Sequence, residues 1–475
     1  MIPEAELQAE LYSWGAAQEV TGSKHFLRFH DQLIQVDCGA FQGHRDESER
    51  KNREWPFNPA EVDALVLSHA HYDHSGLIPL MAKKDFAGNI YTTPASRDLA
   101  NLIMMDSAHI QAKDLEFLKK RALKKGESFS GEPLYKEEDV IQSLDQFMTV
   151  SYDRSFPVTE NIQVRFIDAG HILGAAIPVI TVGKNSQEMV IGLGGDLGRK
   201  GLPILRDPQP LPDLDYLVIE STYGHRRHDP IETATEKLAE VVNRTTNRGG
   251  KIIIPAFAIE RTQELIYFLH LLNDAGKIPK LPIYVDSPMA TNATSIFQVH
   301  QECYDEETHQ AFLNHHKNPF GFNELRYTTN VSESKELNAL QDPAIIISSS
   351  GMCEAGRILH HLANNIENAR NTIVIVGFMA QDTLGRRIKE QTEQVKIFGD
   401  IYKLKAEVVT LNTFSAHADE QDIIDTIQQL NFKRLKEVFL VHGESDAQAA
   451  LSENLKNLGY KTTIVKYKEK YTLQV

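Results

Sequence analysis

Within the stretch LVLSHAHYDHSG, Leu65 to Gly76, stand three imidazoles and a carboxylate: His69, His71, Asp73 and His74. Imidazole nitrogens and carboxylate oxygens are ligands that zinc takes. The apolar run Ala64 to Leu67 reads as a buried strand. Ser75 and Gly76, followed by Leu77, Leu80 and Met81, read as a helix start, so the cluster is expected on a strand-to-helix loop. Side chains alternate along an extended segment, which points His69 and His71 the same way. Asp73 and His74, past the strand end, can turn toward a second position, so one short loop could serve two metals. A solvated loop that is rich in histidine by chance is the weaker reading of so specific a spacing.

A two-metal site needs about four ligands per ion, a bridging carboxylate and an open position for water. The remaining candidates all follow apolar strand patterns. His171 comes after VRFID in DAGHILGAA, Asp196 after VIGL in GLGGDLG, and His442 after VFLV. A single His or Asp at a strand end is usually a cap or a satisfied polar residue. Seven of them at strand ends in one chain point to a common site.

The elements that must position these residues are legible as patterns. Short strands HFLRF, QLIQVD, ALVLS and NIYTT alternate with turns, and a helix is expected from Arg97 to about Lys125, with Leu99, Leu102, Ile103, Ile110, Leu115 and Leu118 near helical spacing. Its basic end, LKKRALKKGE, reads as a solvated terminus. Strands return with QVRFIDAG, IPVITV, EMVIGLGGD and LDYLVIES. From about Thr222 strand and helix alternate regularly, which argues a parallel sheet with ligands gathered at its carboxyl ends. There SSSGM, Ser348 to Met352, offers backbone N–H groups and hydroxyls that suit a phosphate, making Ser349, Ser350 and Gly351 candidate substrate contacts; Gly and Ser merely turning the chain is nearly as good a reading. After Lys405, AEVVTLNTFSAHADE and LKEVFLVHGESDAQAALSENL repeat the strand, polar tip, helix order, with His417 and His442 at the tips. The segment 44–55 is the clearest candidate for a flexible loop.

Composition narrows the function classes. A chain of 475 residues is long enough for two or three domains. It has no run of eighteen apolar residues, so no membrane span is expected, and its start, MIPEAELQ, lacks the basic-then-apolar order of a signal peptide. Cys38, Cys303 and Cys353 are isolated, which suits a reducing cytoplasm and leaves metal binding to His and Asp. A net charge of −15 disfavours wrapping nucleic acid over the whole surface. Local basic runs remain at 198–201 (GRKG), 225–228 (HRRH) and 384–389 (LGRRIK), each of which is most simply a solvated surface.

HxHxDH followed by GHILG and GGD, and closed by a strand-end His, resembles the metallo-β-lactamase superfamily. IESTYG (Ile219 to Gly224), FSAH (Phe414 to His417) and LVHGE (Leu440 to Glu444) resemble motifs A, B and C of its β-CASP subgroup, the nucleic-acid-processing branch. PAFAIERTQEL, VDSPMA, SSSGMCEAGR and TLGRR agree, so the resemblance spans almost the whole chain. It implies an α/β protein with a four-layer αββα catalytic domain made from both ends of the chain, residues 1–215 and 406–475, and an inserted β-CASP domain, 216–405. It further implies two zinc ions, with manganese as the alternative: one on His69, His71 and His171, the other on Asp73, His74 and His442, with Asp196 between them and Asp37 supporting from behind.

By the same resemblance the two metals activate a bridging water that attacks a phosphodiester, leaving a 5′-phosphate and a 3′-hydroxyl. His417 would contact the scissile phosphate or act as general acid, and Glu220 would orient it. Histidine at motif C, His442, favours single-stranded RNA over DNA. The sequence ends at YTLQV, without the further C-terminal domain of the ribonuclease J type, and FSAHAD is similar to the mRNA 3′-end cleavage factors, which counts against a 5′-exonuclease habit while endo and exo both stay open. A homodimer is compatible with all of this. The rival readings are a DNA nuclease of the subgroup, a small-molecule metallohydrolase, and a metal-free scaffold, which would have lost ligands.

Overall fold

The computed structural model describes residues 7–474 apart from 44, 127, 185–186, 229, 378, 380–381 and 412–414. Phe414 of FSAH, the last residue of LKKRALKKGE and the acidic first residues therefore lie outside the described residues. The chain divides into two units, one comprising Met1–Lys200, Asp207–Arg227 and His417–Val475, the other Gly201–Arg206 and His228–Ala416.

The first unit is built on two seven-stranded sheets. One runs Lys470–Gln474, Gln8–Ser13, His25–Phe29, Gln32–Val36, Ala64–Val66, Asn89–Thr92, Phe147–Thr149. The other runs Thr462–Ile464, Glu437–Val441, Tyr216–Glu220, Gln187–Leu193, Ala176–Lys184, Ile162–Asp168, Ser155–Pro157. Their inner faces share one core, in which Leu27, Ile34 and Val66 of the first sheet meet Val164, Ile180, Ile191, Val218 and Phe439 of the second. Burying each such side chain contributes about 1.5–3 kcal/mol. The helix Pro94–Lys125 packs beside Phe147–Thr149, and Ser445–Asn457 covers Glu437–Val441 and Thr462–Ile464, completing a helix, sheet, sheet, helix order. Pro94 at the first turn, Thr93 capping Ser96 N–H and Gly126 in the left-handed region bound the long helix as local chemistry dictates.

Two expectations shift. Residues 45–53 form a helix, Arg45–Arg53, where a flexible loop is expected from composition; Glu47–Lys51, Glu49–Arg53 and Arg50–Glu54 pair one turn apart and support it. The helix after Leu67 starts earlier than Ser75: a turn Tyr72–Ser75 carries Asp73 and His74, followed by Ile78–Lys83. Tyr216–Glu220 pairs in parallel with Gln187–Leu193 and Glu437–Val441 in the first unit, while Glu407–Thr410 pairs with Thr372–Ile375 in the second.

The second unit carries a six-stranded sheet, Leu325–Tyr327, Ile283–Val285, Ile345–Ser348, Ile252–Pro255, Thr372–Ile375, Glu407–Thr410, every neighbouring pair parallel. Ile253, Ile346, Ile373 and Ile375 pack on one face against Ile358, Leu362 and Ile388. At the end of Ile283–Val285 stands Asp286, fully buried, whose carboxylate accepts from Arg357 Nη1, Ser334 Oγ and His361 Nε2, each at 2.6 Å. Burial would raise Asp286, but these donors outweigh it and hold the carboxyl below its ordinary value. Asp286→Ala strands a buried histidine and a largely buried arginine. It should cost about 3–5 kcal/mol, read as a lower melting temperature, whereas Ser334→Ala should cost about 1 kcal/mol.

Candidate metal centre

Every sequence-predicted metal ligand lies in the first unit, and the structure brings them together in two clusters. His69 Nε2 and His171 Nε2 approach His71 Nδ1 to 3.1 and 3.3 Å, and both stand 3.5 Å from Asp196 Oδ2. On the other side, His74 Nε2 is 3.3 Å from His442 Nε2, which is 3.4 Å from Asp73 Oδ2. Asp196 Oδ1 faces this second cluster, 3.5 Å from His74 Nε2 and 3.6 Å from His442 Nδ1. One buried carboxylate thus presents a different oxygen to each group. Asp196 Oδ1 is buried without a hydrogen-bond partner. Ring nitrogens crowded this closely, beside an orphaned carboxylate oxygen, fit divalent cations better than any pattern of protons.

The elements explain the convergence. His69 and His71 follow Ala64–Val66, His171 follows Ile162–Asp168, Asp196 follows Gln187–Leu193, and His442 follows Glu437–Val441, in two sheets packed face to face. Two glycines let the loops approach. A Cβ on Gly39 would lie 1.5 Å from Asp73 O, and one on Gly198 would lie 1.8 Å from Gly170 O. The Gly39 loop is thereby pressed onto Asp73 and His74, with Cys38 N donating to His74 O at 2.7 Å.

Burial is the largest cause of the low basicity of His69 and His71, and pushes His71 down to about 4; neighbouring imidazoles add to it at His69. Neutral imidazole is the form that binds metal. Asp37 does not join either cluster. Its Oδ2 accepts from His74 Nδ1 at 2.7 Å and from Ser68 Oγ at 2.9 Å, while Oδ1 takes Ser68 N–H at 2.8 Å. This fixes the ring so that Nε2 faces the cluster, the arrangement by which an outer carboxylate orients a ligand. Behind it runs a chain that sequence reasoning missed: Ser13 Oγ to His25 Nδ1 at 2.7 Å, His25 Nε2 to Ser23 Oγ at 3.0 Å, and Ser23 Oγ to Asp37 Oδ2 at 3.5 Å. His25 opens an ordinary amphipathic strand, so only its pairing opposite Val36 discloses it.

Glu220 and His417 form a third group beside Asp196. His417 Nδ1 lies 3.0 and 3.1 Å from the two Glu220 oxygens and 3.8 Å from Asp196 Oδ2. The Glu220 carboxylate also accepts Leu197 N–H at 2.7 Å and Thr222 Oγ1 at 2.5 Å. With both oxygens so engaged, Glu220 reads as the holder of His417 rather than a ligand of a further ion. Burial alone would lower His417, yet the Glu220 carboxylate outweighs it and lifts the ring to about 10. The alternative, that His417 merely begins a helix with Ser415 as cap, does not hold. The cap of Glu420–Gln428 is Asp419, which accepts from Gln421 and Asp422 N–H, and His417 instead bridges to Gly198.

Ser349, Ser350 and Gly351 follow Ile345–Ser348 in the second unit. Ser350 Oγ accepts Glu354 and Ala355 N–H at 3.1 and 3.2 Å, which closes its own loop, and Ser349 Oγ pairs with Ser287 Oγ at 2.8 Å. Turning the chain thus occupies Ser350, as the plainer of the two sequence readings has it. Of the basic runs, Arg199 is buried, Arg226 lies 4.3 Å over the Tyr223 ring, Arg227 bonds Gln421, and Arg386 pairs with Glu390. Among the described residues no helix is long and apolar enough to cross a membrane.

Comparison with known proteins finds three families along the chain. Residues 26–193 match a metallo-beta-lactamase superfamily domain, 262–388 a Beta-Casp domain, and 401–465 a Zn-dependent metallo-hydrolase RNA specificity domain. A Thermus thermophilus protein named Ribonuclease TTHA0252 is 33% identical over 456 residues, covering 96% of this chain and 98% of its own. Proteins named Transcription termination factor FttA are 28% identical in Methanosarcina mazei, over 93% of this chain and 68% of theirs, and 32% identical in Pyrococcus abyssi, over 81% and 57%. A crystal structure of a protein of unknown function from Enterococcus faecalis shares the fold, with a TM-score of 0.57, 15% identity, and coverage of 98% of this chain and 100% of that one.

Proposed function

Because the chain belongs to the β-CASP subgroup of the metallo-β-lactamase superfamily, we propose that it is a two-zinc ribonuclease that hydrolyses single-stranded RNA to 5′-phosphate and 3′-hydroxyl ends. The observation that carries the reading is the Asp196 carboxylate divided between two histidine clusters. His69, His71 and His171 would hold one ion and Asp73, His74 and His442 the other, with Asp196 common to both. Manganese would suit the carboxylates but imidazole-rich sites favour zinc. Zinc bound there supplies Lewis acidity toward the phosphate oxygens and an activated water near neutral pH.

The chain's own groups do the rest. Asp37 keeps the His74 proton on Nδ1, so that Nε2 is the free ligand atom. Glu220 takes His417 Nδ1, which leaves Nε2 to hand a proton to the departing 3′ oxygen as the bond to phosphorus breaks. This assignment rests on the Glu220 contact geometry. The RNA specificity match over 401–465, which contains both His417 and His442, supports RNA as the polymer.

The test is cleavage of end-labelled single-stranded RNA and DNA of one sequence, resolved on a gel. Chelator-sensitive cleavage that favours RNA and weakens with added salt is the expected result, the salt effect being shallow for a chain of charge −15. Equal rates on the two polymers would overturn the choice of RNA. Turnover of a chromogenic lactam or thioester without RNA cleavage would move the chain to the small-molecule hydrolases.

A further inference from the structure

Parallel sheets gather their ligands at the carboxyl ends of the strands. In the second unit Ile252–Pro255 lies between Ile345–Ser348 and Thr372–Ile375, and just past the ends of these three strands come Phe257, Gly351 and Gly377. Phe257 is 41% exposed, although Ala256 and Ala258 on either side are buried. Its backbone is held: the Phe257 carbonyl accepts Thr262 Oγ1 at 2.7 Å and Thr262 N–H at 3.2 Å, and Ala256 N donates to Ser348 O at 3.0 Å.

The ring itself is seated on glycine. A Cβ on Gly351 would lie 2.9–3.0 Å from Phe257 Cγ, Cδ2 and Cε2, closer than carbon atoms tolerate, and one on Gly377 would meet the same side of the ring at 3.5–3.9 Å. Neither glycine has a φ in the left-handed region. Gly351 is therefore required by the ring and not by the turn. Among the described residues that follow the same strand ends are small or hydroxyl-bearing ones, Ser349, Ser350, Gly351 and Gly377. An exposed aromatic face on a held backbone, backed by glycine, matches one nucleobase.

We propose that Phe257, seated on Gly351 and Gly377, is a stacking platform for one base of single-stranded RNA. The proposal rests on RNA being the substrate, and it gives Gly351 the task of placing the ring in addition to any contact of its own. It makes the platform tolerant of base identity, since every base has a π-face.

The test measures Kd by fluorescence anisotropy in His417→Ala protein, chosen so that the RNA survives, with a short single-stranded RNA and a set of copies each carrying one abasic nucleotide. Phe257→Leu, which keeps apolar bulk, should weaken binding roughly tenfold, while Phe257→Trp should bind as tightly as the parent. Gly351→Ala should weaken binding by a similar factor and add nothing to Phe257→Leu. One abasic position should reproduce the loss and likewise add nothing to Phe257→Leu. Unchanged affinity in Phe257→Leu, or a loss equally additive with every abasic position, overturns the platform. Gel assay of RNA cleavage by the unaltered protein is run in parallel. Absence of cleavage with Phe257-dependent RNA binding would sink the ribonuclease reading and leave the platform standing; cleavage with Phe257-independent binding would do the reverse.

Discussion

His417→Ala should lower kcat on RNA by roughly 10²- to 10⁴-fold, the range expected when a general acid is lost, while the protein keeps both metal ions and its affinity for RNA. The contrast follows from geometry. His417 Nδ1 is bound to Glu220 at 3.0 Å and stands 3.8 Å from Asp196 Oδ2, farther than the 3.5 Å of His69 and His171. Glu220→Gln should resemble His417→Ala, because an amide cannot balance an imidazolium and offers only one acceptor to the three donors that converge there, His417 Nδ1, Leu197 N–H and Thr222 Oγ1. Single-turnover cleavage together with elemental analysis reads both quantities. Cleavage at the parent rate by His417→Ala would remove the general acid. Loss of metal in the same variant would instead make His417 a ligand.

Asp196→Ala should empty the centre. Each of its oxygens faces a different cluster, so the purified variant should fall from about two zinc ions per chain to well below one, with cleavage undetectable. His442→Ala should deplete one ion only, since His442 approaches the second cluster alone. Asp37→Ala should be milder than either, weakening metal affinity roughly 10- to 100-fold, because its contact is to the far nitrogen of His74. Titration with a zinc-competing chelator separates the three. Full occupancy in Asp196→Ala would take Asp196 out of the bridge and leave two independent sites.

What could be read from the amino acids alone were the candidate ligand types and their places at the ends of elements. His69, His71, Asp73 and His74 declare themselves by spacing, and His171, Asp196 and His442 by the apolar runs before them, because burial on a sheet leaves a period that a short window of sequence displays. The parallel sheet of the second unit was legible for the same reason. The helix Arg45–Arg53 was hidden because its support is charge pairing without an apolar stripe. Only the tertiary structure decided which oxygen of Asp196 meets which cluster, that His25 stands behind Asp37, and that Gly351 serves a ring some ninety residues before it in the chain. Each of these depends on the register of strands far apart in sequence, such as Tyr216–Glu220 against Glu437–Val441, and on loops closing to contact distance. Local propensity carries no information about such pairings, because their free energy belongs to the packed sheets as a whole and not to any window of the chain.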